Sequence, residues 1–204
     1  DTQNNPNKKL RRRIVSGVVL APTFVALVYF GGLALKLVLL AVFAGCIYEW
    51  GKMTLHMPGR VLHGLAGLTF IMFGVGTFYY LRFNFETGAY LAIIQMLSVW
   101  ASDTGAYIAG KRYGRKKLAP VTSPNKTWAG LFGSVLFCGL FMAVLFAVLL
   151  NSISVMWFFA GCSLGVIGQV GDLFVSQYKR RANLKDSGHL IPGHGGLLDR
   201  IDAW

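Results

Sequence analysis

From Thr127 to Gly171 the chain carries no Asp, Glu, Lys or Arg. One membrane-crossing helix needs about 20 mostly apolar residues, so this run is more than twice as long as a single crossing. The polar residues Asn151, Ser152 and Ser154 mark where it turns back. It divides into spans at 128–150 and 153–175. Further spans are expected at 14–30 and 33–50, parted by Gly31-Gly32, and at 61–81 and 88–109. Span 33–50 is the least regular, because Lys36 and Glu49 leave only a short uncharged centre. The expected fold is therefore all-α: one polytopic membrane helical bundle with about six transmembrane helices in a single domain, 1–204. The segment 197–204 reads as the opening of another helix, so a further C-terminal helix is expected beyond it.

Composition excludes the common alternatives. Hydrophobic residues make up 54% of the 204 residues and charged residues 14%, against about 25% charged in a typical soluble domain. Disorder, coiled coil and an ordinary soluble enzyme are all disfavoured. The 20 Lys and Arg exceed the 8 Asp and Glu, for a net charge of +12. In a soluble chain that excess would suggest nucleic acid; in a membrane protein it follows from the enrichment of Lys and Arg in cytoplasmic loops. With the N-terminus inside, every Lys and Arg except Lys36 and Arg82 falls on the cytoplasmic side. No nucleic-acid partner is expected. A cleaved signal peptide at 8–30 is disfavoured, since the apolar region is long, lacks a small-x-small cleavage site and is followed by more spans. Cys46, Cys138 and Cys162 lie in apolar stretches without a C-x-x-C spacing and read as packing residues.

The chemistry gathers at one end of these spans. An ionised Asp at the bilayer centre costs about 2.5–3.5 kcal/mol on insertion scales, so Asp103 and Asp172 in spans 88–109 and 153–175 call for a reason. Both lie toward the inner ends of their spans, and the segment 176–202 begins just after Asp172. That segment holds Ser176, Lys179, Arg180, Lys185, Asp186, His194, Gly195, Gly196, Asp199, Arg200 and Asp202. Lys and Arg neutralise phosphates, and glycines allow close backbone approach. Asp199 and Asp202, three apart, share a helix face, and carboxylates are the ligands Mg²⁺ prefers. The pattern reads as a metal-assisted nucleotide or phosphate site. A second inner segment, Ser123-Pro124-Asn125-Lys126-Thr127-Trp128, reads as a helix-start anion site, with Ser123 or Thr127 as cap and Lys126 beside it.

Two tempting motifs are set aside. Gly105 to Lys111 matches the start of a P-loop, but Arg112 stands where Ser or Thr should hold Mg²⁺. His189 and His194 lack the H-E-x-x-H spacing of a zinc site. His56 and His63 read as interfacial or packing residues.

The segment from Ser176 to Asp202 resembles the signature of phosphatidate cytidylyltransferases (CDP-diacylglycerol synthases). Ser176, Lys179, Arg180, Lys185, Asp186, Gly188, Ile191, Pro192, His194, Gly195, Gly196, Asp199, Arg200 and Asp202 fall in step with it. Ser102 to Tyr107, Ser123 to Trp128 and Gly171-Asp172 resemble further family motifs in the same order, and the resemblance covers roughly residues 10–204. It departs between the second and fourth spans, where many relatives carry extra helices.

The resemblance implies transfer of a cytidylyl group from CTP to phosphatidic acid, with Mg²⁺ and a possible second cation as cofactors. It implies Asp172, Asp199 and Asp202 as metal ligands. Asp103, Lys126, Lys179, Lys185 and Arg200 are implied catalytic residues. Ser123, Thr127, Ser176, Arg180, His194, Gly195 and Gly196 are implied to bind substrate. The expected setting is the bacterial inner membrane, with the N-terminus and active site cytoplasmic, and a homodimer is the expected assembly. The competing class is a transporter or ion-conducting protein using its intramembrane Asp residues. Its expected signs, mid-membrane carboxylates and repeated halves, are not found in the sequence.

Overall fold

A computed structural model describes residues 21–55, 57–188 and 195–203. Helix α1 spans Ala21–Phe30. It is followed by α2 (Gly32–Thr54), α3 (Arg60–Phe83) and α4 (Gly88–Tyr113). A short hairpin, β1 (Lys117–Ala119) and β2 (Ser123–Thr127), leads into α5 (Trp128–Leu150), α6 (Val155–Arg181) and the single turn α7 (Leu198–Ile201). The two strands are antiparallel, pairing Lys117 with Thr127 and Ala119 with Ser123. They are the one β feature of an otherwise helical bundle among the described residues.

Helices α2, α3, α5 and α6 are long and apolar enough to cross a membrane. Helix α4 occupies the expected fourth span and is longer than it, but its polar residues, Gln95, Ser98, Ser102 and Asp103 among them, keep it out of that set. Of the first expected span, the described part is α1; residues 14–20 lie outside the described residues, as do His56 and the whole of 189–194. The described chain has the character of an all-α membrane protein.

The turn between α5 and α6 falls where the sequence placed it. Asn151 adopts a left-handed conformation, φ 49°, at the end of α5, a position Asn tolerates well. Ser154 caps α6 by accepting from the Met156 N–H at 3.2 Å, and Ser152 Oγ accepts from Trp157 Nε1 at 3.0 Å. The Trp157 ring stacks on Phe146 at 3.7 Å between centroids. At the other end, Thr127 caps α5 through the Gly130 N–H at 3.1 Å, so Thr127 rather than Ser123 is the cap.

Several of the expected ends move outward. Helix α2 runs to Thr54, α3 to Phe83, α4 to Tyr113 and α6 to Arg181. Ser176, Lys179 and Arg180, expected in a loop, therefore lie on the last turns of α6. Glu49, expected as a boundary of the second span, sits inside α2 with 2% exposure. It is satisfied by hydrogen bonds from elsewhere in the chain, so a helix can carry it without reaching water.

Packing between helices uses small residues and a few polar bridges, as expected where water does not drive association. Helices α4 and α5 meet at Gly105 and Gly133, next to a buried hydrogen bond of 2.6 Å between Ser102 Oγ and Ser134 Oγ. On the other side Trp50 of α2 ties the bundle together. Its ring lies 4.5 Å from Tyr178 and 5.6 Å from Phe174, and its Nε1 donates to the His63 carbonyl at 2.9 Å. His63 in turn pairs its Nδ1 with the Tyr178 hydroxyl at 3.1 Å, so it is a packing residue. Cys46, Cys138 and Cys162 are unbridged.

Replacing a buried aromatic with Ala typically costs about 3–5 kcal/mol. Trp50→Ala is expected to lower unfolding stability in detergent by that order. Thermal melts of the variant against the parent chain check it; an unchanged midpoint would mean that the Trp50 cluster is not a structural hub.

Candidate active site

The middle of α4, the C-terminal half of α6 and the segment around the turn α7 enclose a cavity of about 470 Å³. Five carboxylates line it: Asp103 from α4, Asp172 from α6, and Asp186, Asp199 and Asp202 from the C-terminal segment. Lys179 and Arg200 are the cations of its wall, and Val99 and Trp100 form its apolar side. Residues more than 90 positions apart in the sequence thus meet at one end of the bundle.

The residues of α6 reach the cavity because they share a face. Asp172 and Ser176 are one turn apart, and Ser176 Oγ donates to Asp172 Oδ1 at 3.2 Å. Lys126 from β2 pairs with Asp172 Oδ2 at 2.5 Å and donates to Gln169 Oε1 at 3.0 Å. The hairpin therefore brings its lysine to the site by crossing over α6. A turn further on, Lys179 Nζ donates to Asp199 Oδ1 at 2.7 Å, and both side chains are 11% exposed. Such a pair is costly to break, because the remaining charge is left without its partner.

Asp199 also receives two backbone N–H groups at its second oxygen, from Ser187 at 2.9 Å and Gly196 at 3.1 Å. Burial alone would push its carboxyl up. The hydrogen bond from Lys179, the backbone N–H groups and the lysine charge outweigh burial and hold it below the usual carboxylate range. Asp202 is the opposite case. Burial pushes it up to about 7, with the charges of Asp172 and Asp199 adding to the rise and Lys179 and Lys126 opposing it.

Asp202 stands close because its backbone rests directly on α6. A Cβ on Gly171 would fall on the Asp202 carbonyl oxygen, and one on Gly168 would lie 2.8 Å from the Ala203 carbonyl oxygen. The Gly171-Asp172 pair thus supplies both a seat for one carboxylate and the neighbouring carboxylate itself.

The other expected residues divide. Thr127 is spent on capping α5, next to Lys126. Arg180 donates to the carbonyls of Thr122 and Leu184, both at 3.2 Å, and so bridges α6 to the hairpin. Ser123 is half-buried in β2, and Lys185 is exposed beside Asp186; neither lines the cavity. His194 lies outside the described residues. Gly195 has φ 85° and approaches the Asp199 carboxylate.

Asp186, grouped with the other carboxylates in the sequence, lines the cavity. Three residues that the sequence reading gave no role belong to the site or its frame: Trp100 lines the cavity, Gln169 orients Lys126, and Glu49 anchors the C-terminal segment. Glu49 is bound to the C-terminal segment by Ser187 Oγ at 2.8 Å and by the N–H groups of Leu197 and Leu198, both at 3.0 Å. Its signal in the sequence was a carboxylate placed within an apolar helix.

The Cytidylyltransferase family pattern matches residues 55–204, which contain every lining residue of the cavity. The chain belongs to this family. It is 38% identical to the phosphatidate cytidylyltransferase of Rickettsia conorii over 94% of its own length and 84% of the relative's. It is 40% identical to that of Rickettsia felis, over 94% and 86%. The phosphatidate cytidylyltransferase of Staphylococcus aureus strain COL is 41% identical over 64% of this chain and 50% of its own. The cytidylyltransferase match begins before α3 and takes in the whole polar end of the bundle.

All-oxygen donors at the cavity suit Mg²⁺. Among the described residues no three His, Cys, Asp or Glu side chains converge to enclose an ion by themselves. Mg²⁺ usually takes one or two carboxylates and completes its shell with waters and phosphate oxygens. Burial, with the charges of Asp172 and Asp199 adding to it, disfavours the ionised form of Asp202.

A carboxyl raised from 3.8 to about 7 in the fold binds more protons folded than unfolded between those values. Its contribution therefore favours the fold at low pH and is lost as pH rises through about 7. In cation-free buffer, parent protein is expected to lose more stability than Asp202→Asn between about pH 5 and about pH 8. Mg²⁺ is expected to restore stability at the higher pH in the parent only. Parallel melts of the two proteins measure this, and equal pH slopes would refute it.

Proposed function

We propose that this cytidylyltransferase converts CTP and phosphatidate into CDP-diacylglycerol and pyrophosphate. The observation that carries the reading is the meeting of five carboxylates with Lys179 and Arg200 in one cavity, built from the segment that bears the family signature. The named relatives are phosphatidate cytidylyltransferases over most of this chain. The alternative of a transporter or ion-conducting protein is not favoured by either observation.

In the reaction an oxygen of the lipid phosphate bonds to the α-phosphorus of CTP, and the bond from that phosphorus to the bridging oxygen breaks. Pyrophosphate leaves with the electron pair. The nucleophile belongs to the substrate, so the chain needs no Ser or Cys nucleophile. Its task is to hold two polyanions in line and to stabilise charge on the leaving group.

Lys179, fixed by Asp199, and Arg200 are placed to bind phosphate oxygens at the cavity wall. Lys126 stands behind Asp172 and is released toward phosphate when that carboxylate takes another partner. Lys185, exposed beside Asp186, and Arg180 extend the positive surface over which CTP approaches, and Ser123 in β2 offers a hydroxyl near it. Asp172, Asp199 and Asp202 are the carboxylates that would supply ligands to Mg²⁺, one or two at a time, with waters and phosphate oxygens completing its shell and Asp103 and Asp186 lining the same cavity. When bound, Mg²⁺ supplies charge neutralisation for the triphosphate and the departing pyrophosphate.

The lipid half of the reading rests on Trp100. Its ring lines the polar cavity and also an apolar groove of about 580 Å³ between α1 and α4, with Val25, Tyr29 and Ile93. A phosphate in the cavity and acyl chains in the groove would place phosphatidate across this residue. The reading includes six membrane spans, α4 among them, a cytoplasmic polar end in the bacterial inner membrane, and a homodimer. The positive-inside distribution of Lys and Arg supports the orientation.

Purified protein is expected to release pyrophosphate only when CTP, phosphatidate and a divalent cation are all present, and not with the other three nucleoside triphosphates. Asp172→Asn and Asp199→Asn are expected to lower turnover by about 100-fold or more. Full turnover in either folded variant would refute its role, and pyrophosphate release without phosphatidate would refute the lipid acceptor.

A further inference from the structure

Glu49 is the most deeply buried carboxylate among the described residues outside the cavity. It projects from α2, a helix that contributes nothing to the cavity wall. Its two oxygens are fully engaged by the C-terminal segment. Oε1 accepts from the Leu197 N–H at 3.0 Å, and Oε2 accepts from the Leu198 N–H at 3.0 Å and the Ser187 hydroxyl at 2.8 Å. These bonds join residues 138 to 149 positions apart in the chain.

The contact is built to exclude anything else. A Cβ on Gly188 would strike Glu49 Oε1, and a Cβ on Gly196 would strike both Ser187 Oγ and Glu49 Oε2. Two glycines of the signature segment are thus explained by close packing on a protein carboxylate. Ser187 is the pivot. Its hydroxyl binds Glu49 while its N–H binds Asp199 Oδ2, 2.9 Å away. Gly196 binds the same Asp199 oxygen from the other side of the segment.

We infer that Glu49 is a positioning residue for the reaction: it clasps residues 187 and 197–198 to α2, and through them it aims Asp199 and Asp202 into the cavity. The inference rests on the cytidylyltransferase reading for its effect on turnover, while the clasp itself is a matter of structure. Gln in place of Glu49 keeps one acceptor oxygen but sets an NH₂ group against an N–H or hydroxyl donor. Ala removes every acceptor and leaves two backbone N–H groups and a hydroxyl without partners in a buried place.

Hydrogen exchange measured by mass spectrometry tests the clasp without reference to activity. The full chain in detergent is compared with Glu49→Gln, Glu49→Ala and Ser187→Ala. Peptides covering 183–188 and 195–203 are expected to exchange about 10-fold faster or more in Glu49→Ala, with α5 and α6 unchanged. Glu49→Gln is expected to fall between Glu49→Ala and the parent chain. Turnover, followed as pyrophosphate release, is expected to fall about 10–100-fold, in kcat more than in KM for CTP, and in the same order of variants.

Unchanged exchange in those peptides would overturn the clasp, and so would an equal rise throughout the bundle, which would mark Glu49 as a general core residue. Faster local exchange with unchanged turnover would overturn its role in the reaction. If Glu49→Ala fails to fold, Glu49→Gln and Ser187→Ala decide the same questions. If the parent chain itself releases no pyrophosphate, the functional reading fails, and the exchange result still settles whether the clasp exists.

Discussion

Five carboxylates around one cavity repel one another, and the polar end of this bundle is organised by that repulsion. Two ion pairs each tie one of them down: Lys126 holds Asp172 and Lys179 holds Asp199. Neither lysine is a neighbour of its partner in the chain. One arrives from the β-hairpin and the other from the extension of α6. The hairpin, the long α6 and the folded-back C-terminal segment are needed together, because removing any one leaves a charge without its partner. Asp202 is pushed up to about 7 chiefly by its burial, with the charges of Asp172 and Asp199 adding to the rise.

Helix α4 illustrates how the same logic shapes the bundle. It is flanked by apolar helices, yet it carries Gln95, Ser98, Ser102 and Asp103. Ser102 spends its hydroxyl on Ser134 of α5, and Asp103 opens onto the cavity. Gln95 and Ser98 are buried as well, and their Oε1 and Oγ atoms have no hydrogen-bond partner among the described residues. The apolar character of α4 is correspondingly lower than that of α2, α3, α5 and α6.

Much of this was readable from the residues. The uncharged run after Thr127 and the polar Asn151, Ser152 and Ser154 defined α5 and the turn into α6, because local capping chemistry decides such boundaries. Asp103, Asp172, Asp199 and Asp202 were identifiable as a group because a carboxylate near an apolar span is expensive. What could not be read depends on tertiary contact. Nothing local distinguishes Glu49, buried and bonded to residues 187, 197 and 198, from a carboxylate at a membrane surface. Helix ends behaved likewise: α6 continues through Ser176, Lys179 and Arg180 because its partners, Asp172, Asp199 and the hairpin, lie beyond the apolar limit that marked the end of the span. Gly188 and Gly196 carried a clear sequence signal, but Glu49, the group they make room for, lay far away in the chain.

The seating of Asp202 on Gly171 has a further consequence. The carboxylate that follows Gly171 in the helix and the one that rests upon it are held by the same turn of α6, so their separation is governed by a backbone contact, independent of the length of chain between them. The connection from Arg181 to Ser187 does not itself set that spacing. The bundle thus contains a fixed gauge at its polar end, cut into the backbone of α6.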